Sequence, residues 1–246
     1  MKKMLILVFF LSIIMDTIWA QTDAAKPAYQ MFNNTNMKPK RGHEKMFEEA
    51  VKAHNALFHA TAPNQARLSV ITDGAGSDGW YVWSHGPMTY SDMDHRPSGE
   101  KKHDDDWEKN VDIHVEAYGE STIWKLKDDL SYTPKDYNPA HLDVWRVDIK
   151  PGMRFEFGEL MKKIKTLHET KKYPFSSRVF YNEMFDADGA DAAVVYGFNK
   201  YADFDMDLKY REDFDAIHGA GAYDNFWKKW SECVVGTEEH FRKFIK

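Results

Sequence analysis

Gly86-Pro87-Met88-Thr89-Tyr90-Ser91-Asp92-Met93-Asp94 returns 111 residues later as Gly197-Phe198-Asn199-Lys200-Tyr201-Ala202-Asp203-Phe204-Asp205. The shared pattern, Gly-x-x-x-Tyr-x-Asp-(Met/Phe)-Asp, marks an internal duplication, the first thing to seek in a sequence because it sets the architecture. Three further matches keep the same order. Met37-Lys38-Pro39, Gly42 and Phe47 answer to Ile149-Lys150-Pro151, Gly152 and Phe157. Asp104, Trp107 and Lys109 answer to Asp224, Trp227 and Lys229, and Gly119, Trp124 and Lys125 to Gly236, Phe241 and Arg242. The spacing stays between 110 and 120 residues throughout.

Each half reads β-α-β-β-α-β. In the first, residues 28–37 form a strand, and Phe47, Ala50, Val51, His54, Leu57 and Phe58 recur at helical spacing over residues 43–59. Runs at 67–72 and 80–84 flank a Gly/Asp cluster, a hairpin signal. A helix begins near Asp104, and residues 121–126 close the unit as a strand. The second half repeats this with strands at 142–149, 179–183, 192–196 and 239–244 and helices at 155–168 and 224–233. The expected division is a first repeat over 21–133, a proline-bearing linker over 134–140 and a second repeat over 141–246. Such a unit is a four-stranded antiparallel sheet with two helices on one face. The bare face needs a cover, and a second copy of the unit supplies one.

Residues 1–20 read as a secretory signal peptide: Lys2 and Lys3, an apolar run from Leu5 to Ile14, and a small-residue exit at Ala20. The expected location is therefore periplasmic or extracellular. Without that leader the chain carries 31 basic and 38 acidic residues, a net charge of −7. No basic stripe offers a footprint for nucleic acid, and no later segment reads as a membrane span. With Cys233 as the sole cysteine, no internal disulfide can form.

The strand-Lys-Pro-x-x-Gly-x-x-x-x-Phe segment at 38–47 and its counterpart at 150–157 resemble those of the dimeric α/β-barrel superfamily of ferredoxin-like proteins, in tandem form. Within it the chain is similar to uncharacterised exported proteins of Bacteroidetes-type bacteria. The resemblance implies an α+β fold in which two tandem βαββαβ units pack their antiparallel sheets as an intramolecular barrel. The superfamily includes cofactor-free monooxygenases, haem-degrading and chlorite dismutase-like enzymes, isomerases and proteins without activity, so the fold does not choose a function.

Side chains that differ between the copies are the candidates for chemistry. His54 lies on the apolar face of its helix where the second copy has Ile164, so it reads either as a core histidine or as a catalytic base. His85 is the second catalytic candidate. Trp83, His95 and Arg96, on and after the third strand, are ligand-binding candidates, since an arginine beside imidazoles can hold an anion. His218, before Gly219-Ala220-Gly221, is a fourth. His103 with Asp105 and Asp106 offers nitrogen and oxygen ligands for a metal, against a reading in which the aspartates cap a helix. His168 is the candidate haem ligand. No Gly-x-Ser-x-Gly, Walker loop, Cys-x-x-Cys or His-Glu-x-x-His is present, which removes common hydrolase, nucleotide and zinc-protease chemistry. Three readings stay open: an exported small-molecule-binding protein with oxygenase- or isomerase-like activity, a non-enzymatic structural or interaction protein, and a haem-binding chlorite dismutase-like protein. The cofactor stays unassigned, and the expected assembly is a monomer or weak homodimer.

Overall fold

A computed structural model describes residues 29–135, 137–184 and 189–246; the leader expected over residues 1–20 lies outside them. The first unit runs β1 (Met31–Pro39), α1 (Glu44–Phe58), β2 (Ala66–Gly74), β3 (Tyr81–Met88), α2 (Tyr90–Met93), α3 (Lys101–Asp106) and β4 (Val115–Leu126). The second runs β5 (His141–Ile149), α4 (Arg154–Lys171), β6 (Ser177–Asn182), β7 (Ala192–Phe198), α5 (Tyr210–His218), α6 (Ala222–Cys233) and β8 (Val234–Phe244). The strands are ordered β4-β1-β3-β2 in one sheet and β8-β5-β7-β6 in the other. Antiparallel seams between β2 and β8 and between β4 and β6 join the sheets into one closed eight-stranded barrel. This is the expected α+β fold, two ferredoxin-like units closing on each other. Among the described residues no helix is long and apolar enough to cross a membrane.

The repeated motif is structural in both copies. A Cβ on Gly86 would come within 2.5 Å of Met31 O, and one on Gly197 within 2.8 Å of Pro139, Ser176 and Tyr137 atoms, so both sites need a residue without a side chain. The motif aspartates then close the turns that follow. Asp92 Oδ2 accepts from Thr89 N at 2.7 Å, and Asp203 Oδ2 from Asn199 N and Lys200 N at 2.9 and 3.1 Å.

Two of the sequence matches are out of register. Lys40 N donates to His114 O and His43 N to Lys40 O, just as Lys150 N donates to Cys233 O and Met153 N to Lys150 O. Lys150 therefore corresponds to Lys40, not Lys38. Likewise Trp124 pairs with Phe32 and Arg242 with Leu142, so Arg242 is the counterpart of Trp124 rather than of Lys125. A slip of one residue in a strand exchanges its two faces, and Trp124 and Arg242 both line the barrel lumen.

The helices coat the outside of the barrel. Along β3, Tyr81 and Trp83 face the helix layer while Ser84, Gly86 and, just before the strand, Trp80 line the lumen, the two-residue alternation of a strand covered on both faces. Phe47 and Phe157, at equivalent places in α1 and α4, are wholly buried. The helix-sheet core of the second unit is the larger, with Leu160, Met161, Ile164, Leu167, Phe214 and Phe226 among its members. That of the first unit holds fewer apolar side chains, and imidazoles occupy part of its interior. The lumen is lined by both aromatic side chains and arginines.

Phe157→Ala is expected to cost about 3–5 kcal/mol in denaturant unfolding. Phe155→Ala, at a neighbouring site 73% exposed, should stay within about 0.5 kcal/mol. Equal losses would place the core of this unit elsewhere.

Candidate metal centre

Between the first sheet and its helices, three elements bring imidazoles to one point. Phe47, Val51 and His54 occupy the inward face of α1 and are its buried residues. His59 follows at the end of that helix, its backbone N–H donating to Asn55 O at 2.8 Å, so its ring turns back under the last turn. From the other side, α3 presents His103 as its one buried residue. His103 Nε2 lies 3.2 Å from His54 Nε2 and 3.1 Å from His59 Nε2, and the three nitrogens all fall within 4.8 Å of one another. Exposure is 0, 2 and 6% for His54, His59 and His103.

The outer nitrogens determine what these contacts are. His54 Nδ1 is 2.7 Å from Asp106 Oδ2, His103 Nδ1 is 2.8 Å from Asp104 Oδ1, and His59 Nδ1 is 2.8 Å from the carbonyl of Asn64. Carboxylates and carbonyls only accept, so each Nδ1 carries the proton. In the neutral rings every Nε2 then presents a lone pair, and three lone pairs face one another with no hydrogen between them. Tetrahedral bonds of about 2.0–2.1 Å from a central cation would set ligand nitrogens about 3.3 Å apart, close to the two separations that His103 makes. An outer acceptor behind each ring is also the usual support of a metal-bound histidine. Those acceptors are themselves held: Asp106 by Asn110 Nδ2 at 2.7 Å, and Asp104 by Gly99 N at 3.1 Å.

Burial lowers the pKa of His54 despite Asp106, pushes His59 down to about 4, and does the same at His85. Neutral imidazole is the ligating form. The floor of the site is the sheet. Trp83 packs against His59 with ring centroids 5.1 Å apart and donates to Asn55 Oδ1 at 3.0 Å. His85 lies 5.0 Å from His59 by ring centroid, and its Nε2 is buried without a hydrogen-bond partner.

The structure thus gathers four of the residues singled out in the sequence, His54, His103, Trp83 and His85, and sets Asp106 behind His54. Asp105 is bonded elsewhere, to Lys101 and Lys109 at 2.7 and 3.0 Å. His95 is exposed, and Arg96 donates to Met93 O at 3.3 Å. His218 belongs to the other unit, where its Nε2 is 3.0 Å from Lys163 O and its ring packs on Phe214. His59 fell at the end of the helix expected over residues 43–59, outside the apolar periodicity that drew attention to His54; α1 ends at Phe58, and His59 reaches the site from just beyond it. The available signal was the pair of histidines five apart together with a third flanked by aspartates. Residues for a haem do not fit here. Both nitrogens of the wholly buried His168 are engaged, by Ser177 Oγ at 2.8 Å and Tyr210 Oη at 3.0 Å.

No protein-family model matches the chain, and no curated protein does. Among solved structures it is similar to a candidate monooxygenase from Fusobacterium nucleatum subsp. nucleatum, with a TM-score of 0.59, 12% identity, and coverage of 90% of this chain and 94% of that one. A candidate monooxygenase from Lactobacillus acidophilus NCFM gives 0.55, 11%, 89% and 95%. A chlorite dismutase from Candidatus Nitrospira defluvii, in complex with imidazole, gives 0.52, 7%, 88% and 92%. At these identities the likeness establishes a shared fold.

In metal-free protein, unfolding free energy should fall as the pH drops from above 6.5 towards 4. Folded His59 and His85 titrate near 4 against 6.5 when unconstrained, so in that window the unfolded chain binds more protons. Denaturant midpoints across the window check this, and His85→Gln should give a shallower decline. An unchanged slope would mean that His85 is not held neutral.

Proposed function

We propose that this protein, a chain with the dimeric α/β-barrel fold, is a metalloprotein that holds one divalent transition-metal ion on Nε2 of His54, His59 and His103 and acts on a small molecule. The observation that carries this reading is the convergence of three lone pairs within 4.8 Å, His103 standing 3.1–3.2 Å from each of the other two, and each ring fixed by an acceptor on the far nitrogen. Three neutral imidazoles suit zinc, copper, iron or nickel, and a three-nitrogen set leaves a position open beside its protein ligands. His85, with its unpartnered nitrogen, stands next to the cluster for that position or for whatever occupies it. An ion so held supplies Lewis-acid or oxygen chemistry, and the candidate monooxygenases that share the fold favour the oxidative alternative. In this reading His54 is a ligand rather than a base, and Asp104 and Asp106 orient ligands rather than bind the ion. The apolar leader in the sequence supports a place outside the cytoplasm, and closure of the barrel within one chain supports a monomer.

Titration with zinc and with cobalt(II), followed by calorimetry and by cobalt absorption, should give one equivalent bound and raise the melting temperature. His59→Ala and His103→Ala should abolish that stoichiometric site, and Asp106→Asn should weaken it roughly 10–100-fold while leaving its stoichiometry unchanged. Without a metal, the close contact is relieved only by placing a second proton on one ring, and His103 is the ring that touches both others. A protein that binds neither ion and shows a charged His103 by NMR would overturn the reading, and would favour a non-enzymatic role in which the imidazoles only pack.

A further inference from the structure

The barrel lumen is the second built feature, on the opposite face of the first sheet from the imidazoles. It is a cavity of about 780 Å3, within the range of small-molecule sites. Arg67, Arg146, Arg178 and Arg242 line it, with Glu120 and Glu238 as the acidic side chains of the lining. Among the described residues one of these arginines has a carboxylate within 4 Å: Arg146 Nη2 lies 2.9 Å from Glu120 Oε2, and even there Arg146 Nε is buried with no hydrogen-bond partner.

Arg178 and Arg242 form no ion pair among the described residues. The guanidinium of Arg178 sits over the rings of Phe180 and Phe32, at 5.0 and 5.6 Å from their centroids. Arg242 Nε donates to His240 Nε2 at 2.8 Å, a neutral acceptor because burial holds that imidazole down to about 3. Burial also pushes Arg242 down to about 10, with the Arg146 charge acting in the same direction and Glu120 against it. Burial likewise lowers Arg178, with Asp128 acting against it and the exposed Arg67 in the same direction. Arg178 and Arg242 are half-buried along the lumen; charges drawn away from water are normally paired, and a guanidinium presents a planar fork of donors that fits carboxylate, sulfonate and phosphate oxygens. Apolar wall completes the lining, from Phe32, Trp80, Trp124, Phe180 and Phe244.

We propose that the lumen binds a small organic anion, an acidic group held by Arg178 and Arg242 with an aromatic or apolar body against the surrounding rings. The site rests on the lumen alone and is independent of the metal centre.

Two probes of the same shape test it: 1-anilinonaphthalene-8-sulfonate and its uncharged analogue N-phenyl-1-naphthylamine, titrated against the full chain by fluorescence. The sulfonate should bind roughly tenfold or more tightly than the neutral probe. Arg178→Met and Arg242→Met should each weaken the sulfonate by roughly tenfold or more while leaving the neutral probe unchanged. Circular dichroism verifies that the variants fold, and Ser84→Trp, which fills the lumen from β3, should exclude both probes if either arginine variant fails to fold. Equal affinity for the two probes, or sulfonate binding that survives both arginine substitutions, would overturn the proposal and assign the fluorescence to an apolar surface elsewhere.

Discussion

Two short antiparallel seams hold this molecule in its shape. At one, Ser69 to Gly74 of β2 pair with Phe244 to His240 of β8; at the other, Trp124 to Leu126 of β4 pair with Asn182 to Phe180 of β6. Each four-stranded sheet would otherwise leave two edges and one whole face unprotected. The seams remove all four edges and turn both inner faces towards a common lumen. The approach is close enough to dictate residues: at Gly74, where φ is +82°, a Cβ would fall 2.2 Å from Glu239 O. Barrel closure also fixes the alternation of every strand, so it decides which side chains meet the helices and which meet the lumen.

With that frame set twice, the two units are free to diverge inside it. Where α4 carries Ile164 and β7 carries Tyr196, the first unit has His54 and His85. The second unit keeps a continuous apolar core, and the first exchanges part of its core for imidazoles, their carboxylate supports and a tryptophan floor. A histidine cluster of this kind is tolerable only because each outer nitrogen has an acceptor; without Asp104, Asp106 and Asn64 O the buried rings would lack defined tautomers. The local helix is adapted too. α3 runs on into a π-turn, Trp107–Val111, which places Trp107 Nε1 2.9 Å from Tyr118 Oη and its ring 4.9 Å from His54. Such turns are frequent at functional sites.

The duplication was legible because its motif residues answer backbone demands that recur in both copies: the glycines at 86 and 197 and the aspartates at 92 and 203. Element order followed from it, and so did the barrel. Register was less legible, since Lys-Pro occurs near both first-strand ends while the turn hydrogen bonds match Lys40 to Lys150. α5 also escaped notice, because nine residues with Tyr210, Phe214 and Ile217 inward make too short a period to separate from a loop. At the site, His54 stood out by lying on the apolar face of a predicted helix, and His103 by its neighbouring aspartates. His59 and the lumen arginines did not, because their roles depend on contacts across the sheet and between the units. Arg242 in particular was matched to Lys125 instead of the lumen-lining Trp124 by the one-residue slip.

The central claim is that three imidazole nitrogens share one metal ion. X-ray absorption spectroscopy at the zinc edge, on protein loaded with one equivalent, tests it most directly. A first shell of three or four nitrogen atoms at about 2.0–2.1 Å, with the outer-shell scattering of imidazole rings, is the predicted result, and it should be lost in His103→Ala. A shell dominated by oxygen, or one that is the same in that variant, would contradict the account.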